Sequence, residues 1–198
     1  MSAPSTILIT SQGTTLLQHW RELRQSSHLL RAFLRRDYRV RYAQTRLGLS
    51  WAVLQPIITL AVLYLVFSRV MKVDTGDTPY ALFALSGIVV WNYFNYVVSH
   101  SASALINAQN MIRKIYFPRI ILALSKAAVG ALDFSIGVAL LLALGLYQGA
   151  LQPEGLLLFP LVLAATALSG LGLGLGVSSL SIRYRDLQQI LPFLLQLL

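Results

Sequence analysis

The chain has 198 residues, 56% of them hydrophobic and only 12% charged, about half the charged share of a soluble domain. That surplus excludes a wholly water-exposed globule and calls for a lipid home. The net charge of +9 would suit nucleic acid if it lay on one surface, but it alternates along the chain, so no nucleic-acid partner is expected.

The first residues, MSAPSTILITSQGTT, show neither a basic leader nor an apolar run ahead of a small-residue cleavage site, so no secretory signal is expected. Eight of the sixteen basic residues then precede Leu47. From Trp20 to Thr45 the pattern is that of an amphipathic helix. Leu30, Leu34, Tyr38 and Tyr42 recur four apart, flanked by Leu29, Phe33 and Val40, and Arg31, Arg35 and Arg39 make a basic stripe with Arg36 further round. Such a helix fits the plane of the interface, its arginines toward anionic headgroups. Asp37 and Arg41 fall on the apolar side in acid-first order, a spacing that predicts a pair between them. The basic face serves either topology alone or topology and a ligand phosphate.

Uncharged intervals follow from Leu47 to Ser68, Thr78 to Ile112, Phe134 to Pro153 and Gly155 to Ile182, each at or above the ~20 residues that cross hydrocarbon as a helix. Pro56, near the start of the first, predicts a kink; later, Tyr64 and Phe67 lie three apart on one side. The second holds WNYFNY from Trp91 to Tyr96, which suits an aromatic belt or, through its asparagines, a polar internal surface. From Ser103 to Ile120 a mixed stretch ends at Pro118, with Ala104, Ala108, Met111 and Ile115 at helical spacing. Spacing alone suits a connector or a short helix offered to a partner.

The third span carries Lys126 and Asp133. Lys126 is expected to snorkel its ammonium back to the headgroups. Asp133 is too deep for that and is expected to find a partner inside the bundle, as a structural hydrogen bond or, second, as a proton relay. In the fourth span Gly170 and Gly174, and likewise Gly172 and Gly176, have the spacing of close helix packing. No lysine follows to make a phosphate loop. Asp74, Asp77 and Glu154 mark the first and third connections, with Arg69 and Lys72 as their only basic residues, whereas Arg113, Lys114 and Arg119 mark the second and Arg183 and Arg185 the fourth. By the positive-inside rule the N-terminus and the basic connections are cytoplasmic.

A fifth apolar run starts at Leu187 and continues to Leu198, shorter than a full crossing. The expected fold class is therefore an all-α integral membrane protein. Four complete transmembrane helices and the start of a fifth follow a cytoplasmic interfacial helix. Residues 1–46 form the tail and interfacial helix and 47–198 the bundle, one domain truncated at its C-terminus. The absence of cysteine removes disulfides and zinc-thiolate sites, and no spacing of His19, His28 and His100 suggests a metal or a nucleophilic triad.

Four segments, RRDYRVRYAQTRLGLSWAVLQPI from Arg35, GIVVWNYF from Gly87, NMIRKIYFPRI from Asn110 and SIRYRDLQQILPFLLQ from Ser181, resemble in order and spacing the permease subunits of ABC-2 type exporters for O-antigen, capsular polysaccharide and teichoic acid. The resemblance implies a homodimer in the inner membrane, paired with separate ATPase subunits, that moves a lipid-linked glycan. It implies no enzymatic activity and no cofactor in this chain, with ATP and Mg on the partner, and the chain has no Walker motif. It assigns Asn107, Asn110, Arg113, Lys114, Tyr116 and Arg119 to ATPase coupling, and a glycan path to Tyr64, Phe67, Trp91 and Tyr93. Because a lipid-linked glycan presents a phosphate at the interface, Arg31, Arg35, Arg36 and Arg39 are expected to guide its headgroup. Family members continue through a complete fifth helix, re-entrant helices and a sixth. The rival readings are a non-transporting scaffold that recruits a cytoplasmic partner through the basic helix and, more distantly, a membrane glycosyltransferase.

Overall fold

A long apolar run can satisfy its backbone in hydrocarbon only by bonding to itself as a helix, and each of the four has done so. The structure, a computed structural model, describes residues 26–42, 48, 50–70, 78–112, 118–150 and 153–197. In chain order these form α1 (Ser27–Tyr42), α2 (Ser50–Leu63) continued by a π-helical stretch (Tyr64–Val70), α3 (Tyr80–Asn107), α4 (Gln109–Ile112), α5 (Ile120–Gln148), α6 (Pro153–Ser181) and α7 (Leu187–Leu197). No strand occurs among the described residues. Four stretches are long and apolar enough to cross a membrane: Ser50–Phe67, Tyr80–Asn107, Ile120–Gln148 and Leu157–Ser181. The Arg46–Leu47 junction and the acidic residues Asp74 and Asp77 lie outside the described residues.

The third span begins at Ile120 and holds both Lys126 and Asp133, as the sequence reading placed them, each paired with a residue of α1. One boundary differs from that reading. Ser103–Asn107 belongs to the end of α3, and only α4 and the residues after it form the connection. With 28 residues α3 is about 42 Å long, more than a hydrocarbon core of ~30 Å, so it tilts or projects beyond the lipid. At the far end α5 stops on Gly149, whose left-handed φ of 65° lets the turn close back on Gly145 and Leu146.

The core lies where α3 packs on α5 and α6, around Leu85, Val89, Tyr93, Val97, Phe134 and Leu141. Gly170 and Gly174 make the α3–α6 approach possible. A β-carbon at Gly174 would meet Ser101 Cβ at 2.7 Å and the Val98 carbonyl oxygen at 2.9 Å. Gly172 and Gly176, on the other side of α6, have no neighbour within 4 Å, so the glycine repeat serves this contact through only half its members. The first turns of α7 seat Leu191 and Leu195 against Val98 and Ala102, leaving Ile190, Phe193 and Leu194 exposed. Helix α2 packs loosely, with Pro56 its one buried residue among those described.

Candidate functional site

Helix α1 lies on α5 and α3 through Phe33, which packs with Ala104, Ile121 and Leu122. Ala108, Met111 and Ile112 join the same cluster, so the apolar side of the connection after α3 faces the protein's own α1. The buried residues of α1 are Phe33, Asp37 and Tyr42. Val40, read from sequence as part of the apolar face, is 58% exposed.

Asp37 and Arg41 do not pair with each other. Each reaches across to α5. Lys126 Nζ lies 2.9 Å from Asp37 Oδ2, Ser125 Oγ donates to the same oxygen at 3.1 Å, and Arg36 contacts Oδ1 through Nη2 at 2.9 Å. Further along α5, Arg41 Nη2 pairs with Asp133 Oδ2 and the Tyr42 hydroxyl donates to Oδ1. The two pairs are reciprocal, an acid of α1 to a base of α5 and a base of α1 to an acid of α5. The spacing of four within α1 was a poor guide because a charge buried against a neighbouring helix is worth most to the opposite charge on that helix. The Lys126 ammonium, expected at the headgroups, pairs with Asp37 of α1.

The electrostatics follow from this geometry. Burial works against the Asp37 carboxylate, but Lys126 and Arg36 outweigh it and hold its pKa below the ordinary value. Burial likewise disfavours the Arg41 charge, and Asp133 beside it more than compensates, raising the guanidinium further. For Tyr42, burial and then the adjacent Asp133 carboxylate push the phenol up, so it remains a neutral donor. The Arg41 guanidinium also lies 4.1 Å from the Tyr96 ring centroid, and Tyr96 stacks on His100 at 3.9 Å. Gly130 gives Tyr96 its place, since a β-carbon there would sit 2.5 Å from Tyr96 Cδ1.

Beside this network is a cavity of about 420 Å³ between α2, α3 and α5, with Arg41, Tyr42 and Asp133 in its lining. Trp51 and Gln55 line it from α2, and Asn92, Asn95, Tyr96 and His100 from α3. The asparagines of the WNYFNY segment thus do face an internal polar surface. Trp51 and Gln55 were not singled out from sequence for this site; the signal available was a polar residue one turn from an aromatic one within an apolar span.

The residues predicted from sequence distribute unevenly. Arg31, Arg35 and Arg39 are exposed on α1, whereas Arg36 is held by Asp37 and lies over the Phe33 ring. Tyr64 meets Tyr80, Trp91 meets Phe94, and Tyr93 is buried against Phe134 with its hydroxyl on the Ala127 carbonyl at 3.3 Å. Of these three and Phe67, only Tyr93 is among the residues that line the cavity described above. Asn107 is exposed at the end of α3, Asn110 lies in α4 and Arg119 is exposed just before α5. Arg113, Lys114 and Tyr116 lie outside the described residues. No group of three or more metal-ligating side chains occurs among the described residues.

A bundle of apolar spans pinned by a basic helix is common to many membrane proteins, and comparison with known sequences discriminates among them. The profile of the ABC-2 type transporter family matches residues 28–198. The chain belongs to that family. It is 30% identical over 177 residues to the O-antigen export system permease protein RfbA of Myxococcus xanthus, covering 89% of this chain and 67% of the relative. It is 26% identical over 163 residues to the RfbA permease of Klebsiella pneumoniae, 81% of this chain and 62% of the relative. The polysialic acid transport protein KpsM of Escherichia coli is 26% identical over 167 residues, 83% of this chain and 64% of the relative. The chain thus spans about two thirds of the length of the curated relatives it matches. The membership makes it a multi-pass membrane protein of the permease type, the part of an ABC transporter that crosses the membrane.

Proposed function

We propose that this chain is the permease subunit of an ABC exporter that moves a lipid-linked polysaccharide of the O-antigen or capsule type across the inner membrane. The observation that carries the reading is the family match over residues 28–198 together with relatives named for O-antigen export and polysialic acid transport. In this reading two copies of the chain pair with two ATPase subunits that hold ATP and Mg. In the same reading the N-terminus is cytoplasmic, which the excess of basic residues before Leu47 and in alternate connections supports.

The packing supports a route for coupling. The segment from Asn107 to Arg119 would meet the ATPase, and its inner side, through Ala108, Met111 and Ile112, rests on the same cluster as Phe33 of α1 and Ile121 and Leu122 of α5. A push on that segment is passed to α1 and α5 together. Arg31, Arg35 and Arg39, exposed on the outer side of α1, offer planar donor forks to the phosphate of the lipid carrier. Arg36, committed to Asp37, contributes less.

The test is reconstitution of the full permease with its ATPase partner in liposomes. Glycan-lipid should stimulate ATP hydrolysis, and charge reversal at Arg113 and Lys114 should uncouple that stimulation while leaving membrane insertion intact. No stimulation by a range of glycan-lipids would assign the chain to a scaffold role instead.

A further inference from the structure

The polar side chains around the cavity are more numerous than the network beside it uses. The side-chain amides of Gln55 and Asn92 have no hydrogen-bond partner among the described residues. Asn95 accepts the Ser99 hydroxyl at 3.2 Å through Oδ1, which leaves its NH2 group without one. His100 Nδ1 lies 2.9 Å from the Tyr96 carbonyl oxygen, which fixes that nitrogen as the donor and leaves Nε2 as an acceptor. Amides left unpaired within a membrane span are costly, so an acyl chain is the wrong occupant. The right one carries hydroxyls.

Charge narrows the choice. Arg41 is the cavity's cation and Asp133 neutralises it, with Tyr42 adding a neutral donor. A phosphate placed here would have to displace a carboxylate already in the site. What remains is an uncharged set of amide donors and acceptors, and vicinal hydroxyls, each both donor and acceptor, are its complement. Trp51 adds the apolar element. The residue is 53% exposed, has no aromatic partner among the described residues, and stands one turn from Gln55 on the same side of α2. An exposed indole face covers the C–H side of a pyranose while the amides take its hydroxyls. A volume of about 420 Å³ falls within the ~300–1,000 Å³ of small-molecule sites.

We propose that the cavity between α2, α3 and α5 binds one neutral glycosyl unit presented from the membrane, with Trp51 as the platform and Gln55, Asn92 and Asn95 as the hydroxyl-reading groups. This deepens the exporter reading and rests on it for the source of the sugar. It also divides labour within the chain: phosphate to the exposed arginines of α1, sugar to the cavity.

The experiment uses the full chain in phosphatidylcholine nanodiscs and a decyl glucoside carrying a photoreactive diazirine on the sugar, with labelled peptides mapped by mass spectrometry. Label should be confined to residues around 51–55 and 92–100. Excess decyl glucoside should suppress it, while equimolar decyl phosphate should not. Asn92→Leu and Trp51→Ala should each reduce labelling about tenfold, the effect of one lost contact. Gln55→Leu, on the loosely packed α2, should do the same without risk to the core. Label spread evenly over the outer faces of the spans, or unchanged in all three variants, would overturn the site. Competition by decyl phosphate equal to that by glucoside would overturn its neutral character, and equal competition by free glucose its membrane-presented source. The measurement needs no ATPase. Confined labelling without glycan-stimulated hydrolysis keeps the sugar site and removes the exporter reading, and stimulated hydrolysis without confined labelling does the reverse.

Discussion

Replacing Lys126 by methionine tests the reciprocal pairing of α1 with α5. The Asp37 side chain is 5% exposed and has three partners, Lys126, Arg36 and Ser125. Breaking a buried pair by deleting one charge costs about 3–5 kcal/mol when the other is left uncompensated. Arg36, itself half exposed, stays behind, so the expected cost to α1 docking is about 2–3 kcal/mol, or about 30- to 150-fold in the ratio of released to docked helix. Because the chain contains no cysteine, release can be read at one site. Ala104, 5% exposed beneath Phe33, becomes an Ala104→Cys reporter that reacts with maleimide when α1 lifts. Labelling of Lys126→Met in that background should rise by the stated factor. The double variant Asp37→Leu, Lys126→Met removes both charges and should return to within about 1 kcal/mol of the parent, since no buried ion is left unpaired and Arg36, half exposed, is solvated instead. A single variant labelled within twofold of the parent, or a double variant as reactive as the single, would refute the reasoning.

Read with dipyridyl disulfide, which reacts with thiols in acid, and normalised to an exposed cysteine, the same reporter should show α1 held at neutral pH and released in acid. Asp37 has a lowered pKa in the folded protein, so its contribution is present above the ordinary carboxylate value of ~3.9 and is lost as pH falls through the lower native value; labelling that does not rise there would contradict it. Gly174→Ala should cost about 1–3 kcal/mol by overpacking against Ser101 and the Val98 carbonyl. Gly172→Ala, with nothing within 4 Å, should leave thermal stability in detergent unchanged or slightly raised, and equal effects would contradict the assigned α3–α6 contact. Exchanging Arg31, Arg35 and Arg39 together for lysine preserves charge and topology but removes the forks. Glycan-stimulated ATP hydrolysis in the reconstituted exporter should fall severalfold, and undiminished stimulation would reduce these arginines to topology signals.

The spans could be read directly from the sequence because hydrocarbon tests each residue for polarity and each run for length, and both properties are local. The partners of the charges in the third span were not legible for the same reason. Lys126 and Asp133 were placed in that span from sequence, but only the structure sets Asp37 and Arg41 opposite them. The candidate site was legible in part. WNYFNY announced amides in an apolar helix, but Trp51 and Gln55 carry no pattern that distinguishes a cavity wall from a lipid-facing surface. Their role depends on α2 standing away from α3 and α5.

Of the glycine repeat, spacing alone identified the kind of contact, while the tertiary structure chose Gly170 and Gly174 over Gly172 and Gly176. The sequence by itself therefore determined the membrane class, the number of complete spans and the basic character of α1, all of which a single helix meets alone with water and lipid. Tertiary structure alone decided which charge answers which and where a polar cavity opens. Those depend on the crossing and register of two or three helices, and no spacing within any one of them encodes that.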